Sequence, residues 1–184
     1  MNTIKELLDG VEVEWKSLGI CALIKRGQRV TKSQLAPENQ YPVYSGGVTP
    51  MGYFDKFNHN PHTITITKYG TAGFVNFINE RFWANDVCYC ITPNKELNNK
   101  FLFYFLKNLQ DFIQSQVTDA IPAHLPTEVI SNLLIPIPPI NIQSEIVRIL
   151  DNFTELTTEL TVRKKQYEYY RELLLTFPRA ENNG

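Results

Sequence analysis

The chain has 184 residues, 43% hydrophobic and 20% charged, the proportions of a folded domain with a core rather than of a disordered segment. Its formal net charge is −1, so the overall balance does not advertise a polyanionic partner, and no apolar run approaches the roughly 20 residues a membrane helix needs. Cys21, Cys88 and Cys90 are too sparse for a disulfide framework, and MNTIKELLDG lacks the basic, apolar and cleavage regions of a signal peptide; both point to an intracellular, cytoplasmic protein.

The first predicted element is a short helix over 4–9, with Thr3-Ile4-Lys5-Glu6 as a capping box and Gly10 as its stop. Residues 13–27 read as a turn and a strand. Between Glu14 and Glu38 come Lys16, Lys25, Arg26, Arg29 and Lys32 with no acid among them, whereas acids outnumber bases in the rest of 1–140. A local basic patch is what phosphate contacts require; a solvated edge with chance clustering is the plainer alternative.

From Tyr41 to Thr92 the pattern turns to β structure. YPVYSGGVTPMGY sets Pro42, Gly46, Gly47, Pro50 and Gly52 between aromatics, which predicts short strands and tight turns. In TITIT (63–67) isoleucines alternate with threonines, as in a half-buried strand, and KYGTAGFVNFIN supplies a glycine turn and a returning strand, so 63–79 reads as a hairpin. RFWANDVCYCIT (81–92) predicts one further strand with Trp83, Val87 and Tyr89 on one face and Trp83 in the core.

Asn98 or Asn99 is the expected cap of a helix running to about Gln116, whose Phe101, Leu102, Phe105, Leu106, Leu109, Phe112 and Ile113 form a broad core-facing side. A loop with two prolines follows, then a helical turn at 127–131. Leu133-Leu-Ile-Pro-Ile-Pro-Pro139 must be extended and at a sheet edge, because proline excludes the helical region for the residue before it and donates no ladder hydrogen bond.

Asn141 is the expected N-cap of the last helix. Its apolar positions Ile146, Ile149, Phe153, Leu156, Leu160, then Arg163, then Tyr167, Tyr170, Leu174 and Phe177, step by 3 and 4 throughout, which is a coiled-coil seam. A helix over 142–177 would be about 54 Å long at 1.5 Å per residue. Thr154, Thr157, Thr158 and Thr161 are weak helix formers, so the helix is expected to depend on a packed partner, and Asp151-Asn152 is the place where it would break if it breaks. Arg163 either snorkels or pairs across the helix interface with Glu159 or another acid and so fixes register. The fold class is therefore α+β: a β-rich globular domain over 1–140, a long coiled-coil helix over 141–177, and a tail over 178–184 expected to be disordered.

The junction IPIPPINIQSEIVRILDNF resembles the segment that closes a target recognition domain in specificity (S) subunits of type I restriction-modification enzymes. Pro138, Pro139, Gln143, Ile146, Leu150 and Asp151 fall where that pattern expects them, although Asn141-Ile142 stands where an acid often precedes the glutamine. YPVYSGGVTPMGYFDKF, ITITKYGTAGFV, FWANDVCYCITP and KFLFYFLK follow in the family's order, so the resemblance spans about residues 11–177. It implies one recognition domain and one spacer helix, hence a natural half-subunit or a fragment of a longer chain.

The resemblance further implies sequence-specific reading of one half of a bipartite site on double-stranded DNA, without catalysis in this chain. Methyltransferase subunits with S-adenosylmethionine and a restriction/motor subunit with ATP and Mg2+ would be the partners, as would a second specificity half joined through the helix. In agreement, the sequence has no P-loop, no Rossmann glycine fingerprint and no amino-methyltransferase motif. Phosphate contacts call for cations and backbone amides, and base reading for planar polar side chains. On that basis Lys25, Arg26, Gln28, Arg29 and Lys32 lead the candidates, followed by Lys68, Tyr69 and Thr71 at the hairpin tip, Ser45 in its glycine loop, and Arg81 and Asn85 flanking Trp83; Asn76 and Asn79 are weaker.

Two other chemistries compete. His59 and His62 with Cys88 and Cys90 suggest zinc, but C-x-C is poor ligand spacing and small core cysteines are the plainer reading, so no metal is expected. Asp55, Glu80 and Asp86 suggest a carboxylate site of a metal-dependent nuclease, although nothing in their spacing singles them out. A third possibility is an assembly scaffold that does not touch DNA.

Overall fold

In a computed structural model, which describes residues 7–176, the chain divides into two units, Met1–Ser144 and Glu145–Gly184. The capping box at Thr3–Glu6, the seam position Phe177 and the expected tail lie outside the described residues.

In the first unit Leu7 and Leu8 are helical, within the expected 4–9 helix, and β1 (Glu14–Ser17), a single helical turn α1 (Leu18–Cys21) and β2 (Ala22–Arg26) follow. The aromatic and glycine-rich stretch gives β3 (Tyr41–Tyr44) and β4 (Tyr53–Phe54). The hairpin is present as β5 (Thr63–Thr67) and β6 (Val75–Ile78), antiparallel with Ile64 opposite Phe77 and Ile66 opposite Val75. β7 (Trp83–Ala84) and β8 (Cys88–Pro93) precede α2 (Asn99–Asn108), α3 (Gln110–Ser115) and α4 (Thr127–Ser131). β9 (Leu134–Ile137) carries the prolines and leads into α5 (Ile140–Leu175).

A four-stranded antiparallel sheet in the order β2-β8-β5-β6 forms the centre of this unit. TITIT lies in its interior and is covered on both sides, so Thr65 and Thr67 are buried along with Ile64 and Ile66. α2 covers the isoleucine face, where Phe77 packs on Phe103 at 5.0 Å between ring centroids. On the threonine face Cys88 and Cys90 join Ile78, Phe82 and Ala84 in a cluster backed by Tyr44 and Val87. Both cysteines are thus small core residues, and burial pushes the Cys88 thiol up to about 12.

Several expectations are corrected. The single strand over 81–92 is two strands in different sheets: β7 pairs parallel to β3, whereas β8 belongs to the central sheet, with a turn at 85–87 between them. Trp83 is half-exposed, not core; its indole donates to the Gln28 carbonyl at 2.7 Å and its ring meets Phe54 edge-on. The helix capped by Asn98, whose side chain accepts from the Lys100 and Phe101 amides, breaks at Leu109, where Gln110 turns to accept from the Val75 amide. Phe112 is left exposed. Asn141 is not the cap of the last helix: the carbonyl of Pro139, two residues earlier, already accepts from the Ile142 and Gln143 amides.

The proline segment is an edge strand as expected, pairing antiparallel with β1 in a two-stranded sheet. Gln143, in the first turn of α5, is 0% exposed. Its Nε2 donates to the carbonyls of Pro138 (2.8 Å) and Glu96 (3.0 Å), and its Oε1 accepts from the Asn98 amide at 2.7 Å. The glutamine therefore ties the helix start to the loop that caps α2. Beside it Lys16 bridges Glu14 and Glu96 at 3.2 and 2.8 Å, which removes this lysine from the basic patch.

Among its described residues the second unit is helical without a break as far as Leu175; Asp151-Asn152 does not interrupt it. The hydroxyls of Thr154, Thr157, Thr158 and Thr161 each donate to the carbonyl four residues back. Arg163 pairs with Glu159 of its own helix at 3.4 Å. Among the described residues no helix is long and apolar enough to cross a membrane.

His59 gives a test of the packing. Its ring stacks on the buried Phe82 at 5.4 Å, its Nδ1 lies 2.7 Å from Asn58 Oδ1, and burial holds its pKa below the ordinary value of 6.5. The unfolded chain therefore binds this proton first as the pH falls below 6.5, and stability drops with it. The urea midpoint should be lower at pH 5.5 than at pH 7.5, and the difference should narrow in His59→Phe, which keeps the stack.

Candidate nucleic-acid interface

β2 delivers Lys25 and Arg26 to a loop that is pinned onto the β7–β8 turn. The Gly27 amide donates to Cys88 O at 3.1 Å and the Gln28 amide to Ala84 O at 2.9 Å. Only a glycine fits at 27: a Cβ there would stand 2.2 Å from Ala84 O and 2.4 Å from Asn85 O. Arg26 is spent on the same turn, its Nε and Nη2 donating to Asp86 O at 3.0 and 2.8 Å. Lys25, Gln28, Arg29 and Lys32 are exposed, and the three cations make no ion pair or side-chain hydrogen bond with another described residue. Lys32 stands on a 3-10 turn, Lys32–Gln34, closed by a reciprocal Thr31–Gln34 capping box.

The Ser45-Gly46-Gly47 loop meets the hairpin tip main chain to main chain. Thr71 donates to Gly46 O from its amide (2.8 Å) and its hydroxyl (3.1 Å). Gly70, at φ +76°, could not carry a side chain, since its Cβ would fall 2.4 Å from Gly46 O. Lys68 is fixed through its backbone to Val87 and Leu125, and its ammonium lies 5.4 Å from the Tyr69 ring centroid. Tyr69 in turn bridges to His124, ring centroids 5.7 Å apart, while Thr118 closes the 118–124 loop by hydrogen bonds to His124. The 118–124 loop thus joins the hairpin tip. Sequence reasoning missed it, because nothing in VTDAIPAHLP marks which loop it will touch.

Asn85 requires a correction. It is 5% exposed, and its amide is consumed within the fold. Oδ1 accepts from the amides of Val30 (3.3 Å) and Asp86 (2.8 Å), while Nδ2 donates to Val30 O (3.1 Å) and toward Ser45 Oγ (3.4 Å). It has no edge to offer a base. Arg81 remains exposed, held over the Phe57 ring at 4.9 Å. The structure therefore gathers Gln28, Arg29 and their loop with Ser45, Lys68, Tyr69 and Thr71 around the β7–β8 turn, with Asn85 as their buried hub.

Among the described residues no three His, Cys, Asp or Glu side chains converge as metal ligands, and His62 reaches Asn79 rather than a cysteine. In the second unit the expected seam positions Phe153, Leu156, Leu160, Tyr167, Tyr170 and Leu174 are 49–69% exposed, as are Val162, Tyr169, Leu173 and Leu175 off the seam, and Ile146 and Ile149 are half-buried.

Residues 11–167 match the family model described as the type I restriction modification DNA specificity domain. A putative type I restriction enzyme specificity subunit of Haemophilus influenzae is 34% identical over 189 residues, covering 94% of this chain and 48% of that protein. The EcoR124I/EcoR124II specificity subunit of Escherichia coli is 32% identical, covering 98% of this chain and 49% of its own length. The crystal structure of a type I restriction-modification S subunit from M. genitalium superposes with a TM-score of 0.76 at 25% identity, over 90% of this chain and 46% of that one. The chain spans about half the length of the curated relatives it matches.

Proposed function

The chain belongs to the type I restriction-modification DNA specificity family, and from that premise we propose that its β-rich unit reads one half of a bipartite site on double-stranded DNA. The observation that carries this reading is the gathering of exposed Lys25, Gln28, Arg29, Lys32 and Thr71 with half-buried Ser45, Lys68 and Tyr69 onto loops that are hydrogen-bonded around one turn. Lys25, Arg29, Lys32 and Lys68 are placed to meet phosphates. Gln28, Ser45, Tyr69 and Thr71 supply the hydrogen-bonding groups for base edges or sugar–phosphate contacts. Arg26 acts mainly as a clamp.

The chain supplies recognition rather than catalysis. Methylation with S-adenosylmethionine and ATP- and Mg2+-dependent cleavage would belong to methyltransferase and restriction/motor subunits docked on it, in the cytoplasm. Its long helix would join a second specificity half and fix the distance between two reading units. If that half is another copy, the two-fold axis implies a palindromic bipartite target.

A triple charge reversal, Lys25→Glu, Arg29→Glu and Lys32→Glu, tests the DNA reading in the assembled methyltransferase complex. Each lost phosphate contact should lower the slope of log affinity against log salt by about 0.9, so the slope should fall by roughly 2–3 while the melting temperature holds. An unchanged slope and affinity would exclude this loop from the interface. Magnesium-dependent cleavage by the isolated chain would instead favour a nuclease.

A further inference from the structure

Two of the loops assigned to DNA meet at one buried side chain and the third is bonded to one of them, and this linkage supports a more specific role than packing. Asn85 reaches the loop after β2 through both polar groups of Val30, and it reaches the Ser45-Gly46-Gly47 loop through the serine hydroxyl. The Ser45 loop is in turn bonded to the hairpin tip through Gly46 and Thr71. Met51 Sδ, at 3.7 Å, completes the amide's surroundings. The same turn takes the Arg26 guanidinium and the Gly27 and Gln28 amides from the other side. An apolar side chain of similar volume would fill the space but could not hold two loops in register with each other.

On the DNA-reading proposal above, we infer that Asn85 is a positioning residue for sequence specificity: it sets where the Gln28–Lys32 loop stands relative to Ser45 and the Lys68–Thr71 tip, without touching DNA itself. Phosphate contacts by long, flexible lysine and arginine side chains tolerate a loop shift of an ångström. Base-edge hydrogen bonds do not. Loss of the Asn85 amide should therefore erode discrimination and spare general affinity.

The test uses the full chain assembled with its methyltransferase subunits, in wild type and in two variants that disturb the same junction from opposite sides. Asn85→Ser shortens the amide out of reach of Val30. Gly27→Ala forces the loop off the turn, because its Cβ would collide with the Ala84 and Asn85 carbonyls. Methylome sequencing of hosts carrying each complex gives the recognised motif, and competition binding compares a duplex bearing that motif with one lacking it. Each variant should relax the motif at the same one or two base pairs of a half-site. The affinity ratio between the two duplexes should fall about tenfold or more, the scale of one lost base-pair readout, while binding to the duplex lacking the motif stays within about twofold. Uniform under-methylation at an unchanged motif, with both duplexes weakened alike, would reduce Asn85 to a packing residue and overturn the inference. Relaxation at different positions in the two variants would overturn it too. If the wild-type complex shows no sequence preference, the DNA-reading proposal itself fails, and that outcome is visible before any variant is made.

Discussion

Gln143→Leu should lower the stability of the β-rich unit by about 3–5 kcal/mol, one of the largest losses expected of a single substitution in this chain. The side chain is of similar size, so packing is not the main loss. The Asn98 amide and the Pro138 carbonyl would each be left inside the protein without the partner that Gln143 now supplies at 2.7 and 2.8 Å. A buried donor or acceptor stranded in this way costs about 1–3 kcal/mol, and the Glu96 carbonyl adds a third. Against a total stability of about 5–15 kcal/mol this is severe, and the melting temperature should fall by about 10–15 °C. Thermal melts followed by circular dichroism check it; a shift under a few degrees would mean that water replaces the amide without cost. Gln143→Glu sharpens the test. A carboxylate there would keep the acceptor for Asn98 but set a second negative oxygen against two carbonyls, so its pKa must rise above the ordinary value near 4.3. Compared with wild type at the same pH, that variant should be less impaired at pH 5 than at pH 8, because the protonated acid regains a donor.

The contrast between Gln143 and Asn85 shows what sequence reasoning reaches in this protein. Features set by local backbone chemistry are legible: the 63–79 hairpin, the Asn98 cap, the extended proline strand and the 3,4 spacing of α5 all appear in the structure. Each follows from neighbours within about one or two turns of chain. The misreadings come from pairings that span dozens of residues. RFWANDVCYCIT alternates like one strand, yet Trp83 is claimed by β3 and Cys88 by β5, from opposite layers, and the chain must turn between them. Asn85 looks like a surface asparagine in ANDV because its partners, Val30 and Ser45, are 55 and 40 residues away. Asn141 fits the preference of a cap but stands inside the first turn, because the Pro139 carbonyl has already accepted the opening hydrogen bonds. The basic cluster is similar: five cations without an intervening acid are visible in the sequence, but that Lys16 and Arg26 are internally committed is visible only in the fold.

Leu156→Asp with Leu160→Asp should abolish helix-mediated pairing of the chain. Six large apolar or aromatic side chains on the seam stand 49–69% exposed, a stripe that an isolated helix of 36 residues has no reason to carry in water. The threonines sharpen the point. The hydroxyls of Thr157, Thr158 and Thr161 are turned back onto carbonyls of their own helix, so their protons are not free to bond water from the helix face. Burying a leucine side chain contributes about 1.5–3 kcal/mol, so placing aspartates at two central positions of both helices removes that gain and adds carboxylates that must be desolvated. Charge also selects the direction of pairing. The first half of the helix carries Glu145, Asp151, Glu155 and Glu159 against Arg148, whereas the second half carries Arg163, Lys164, Lys165 and Arg171 against Glu168 and Glu172, so the two halves are net negative and net positive. A parallel pair would set acids beside acids and bases beside bases. An antiparallel pair centred near Leu160 sets Glu155 across from the 163–165 block and Ile146 across from Leu174. Light scattering should then give a dimer for wild type and a monomer for the double aspartate variant, with helical circular dichroism falling as the weakly helix-forming threonine segment loses its partner. An Ile146→Cys variant should not oxidise to a covalent dimer, since an antiparallel pair holds the two new thiols at opposite ends of a helix about 54 Å long. Wild type that is monomeric at every concentration would sink self-pairing, and a ready disulfide at 146 would reverse the direction.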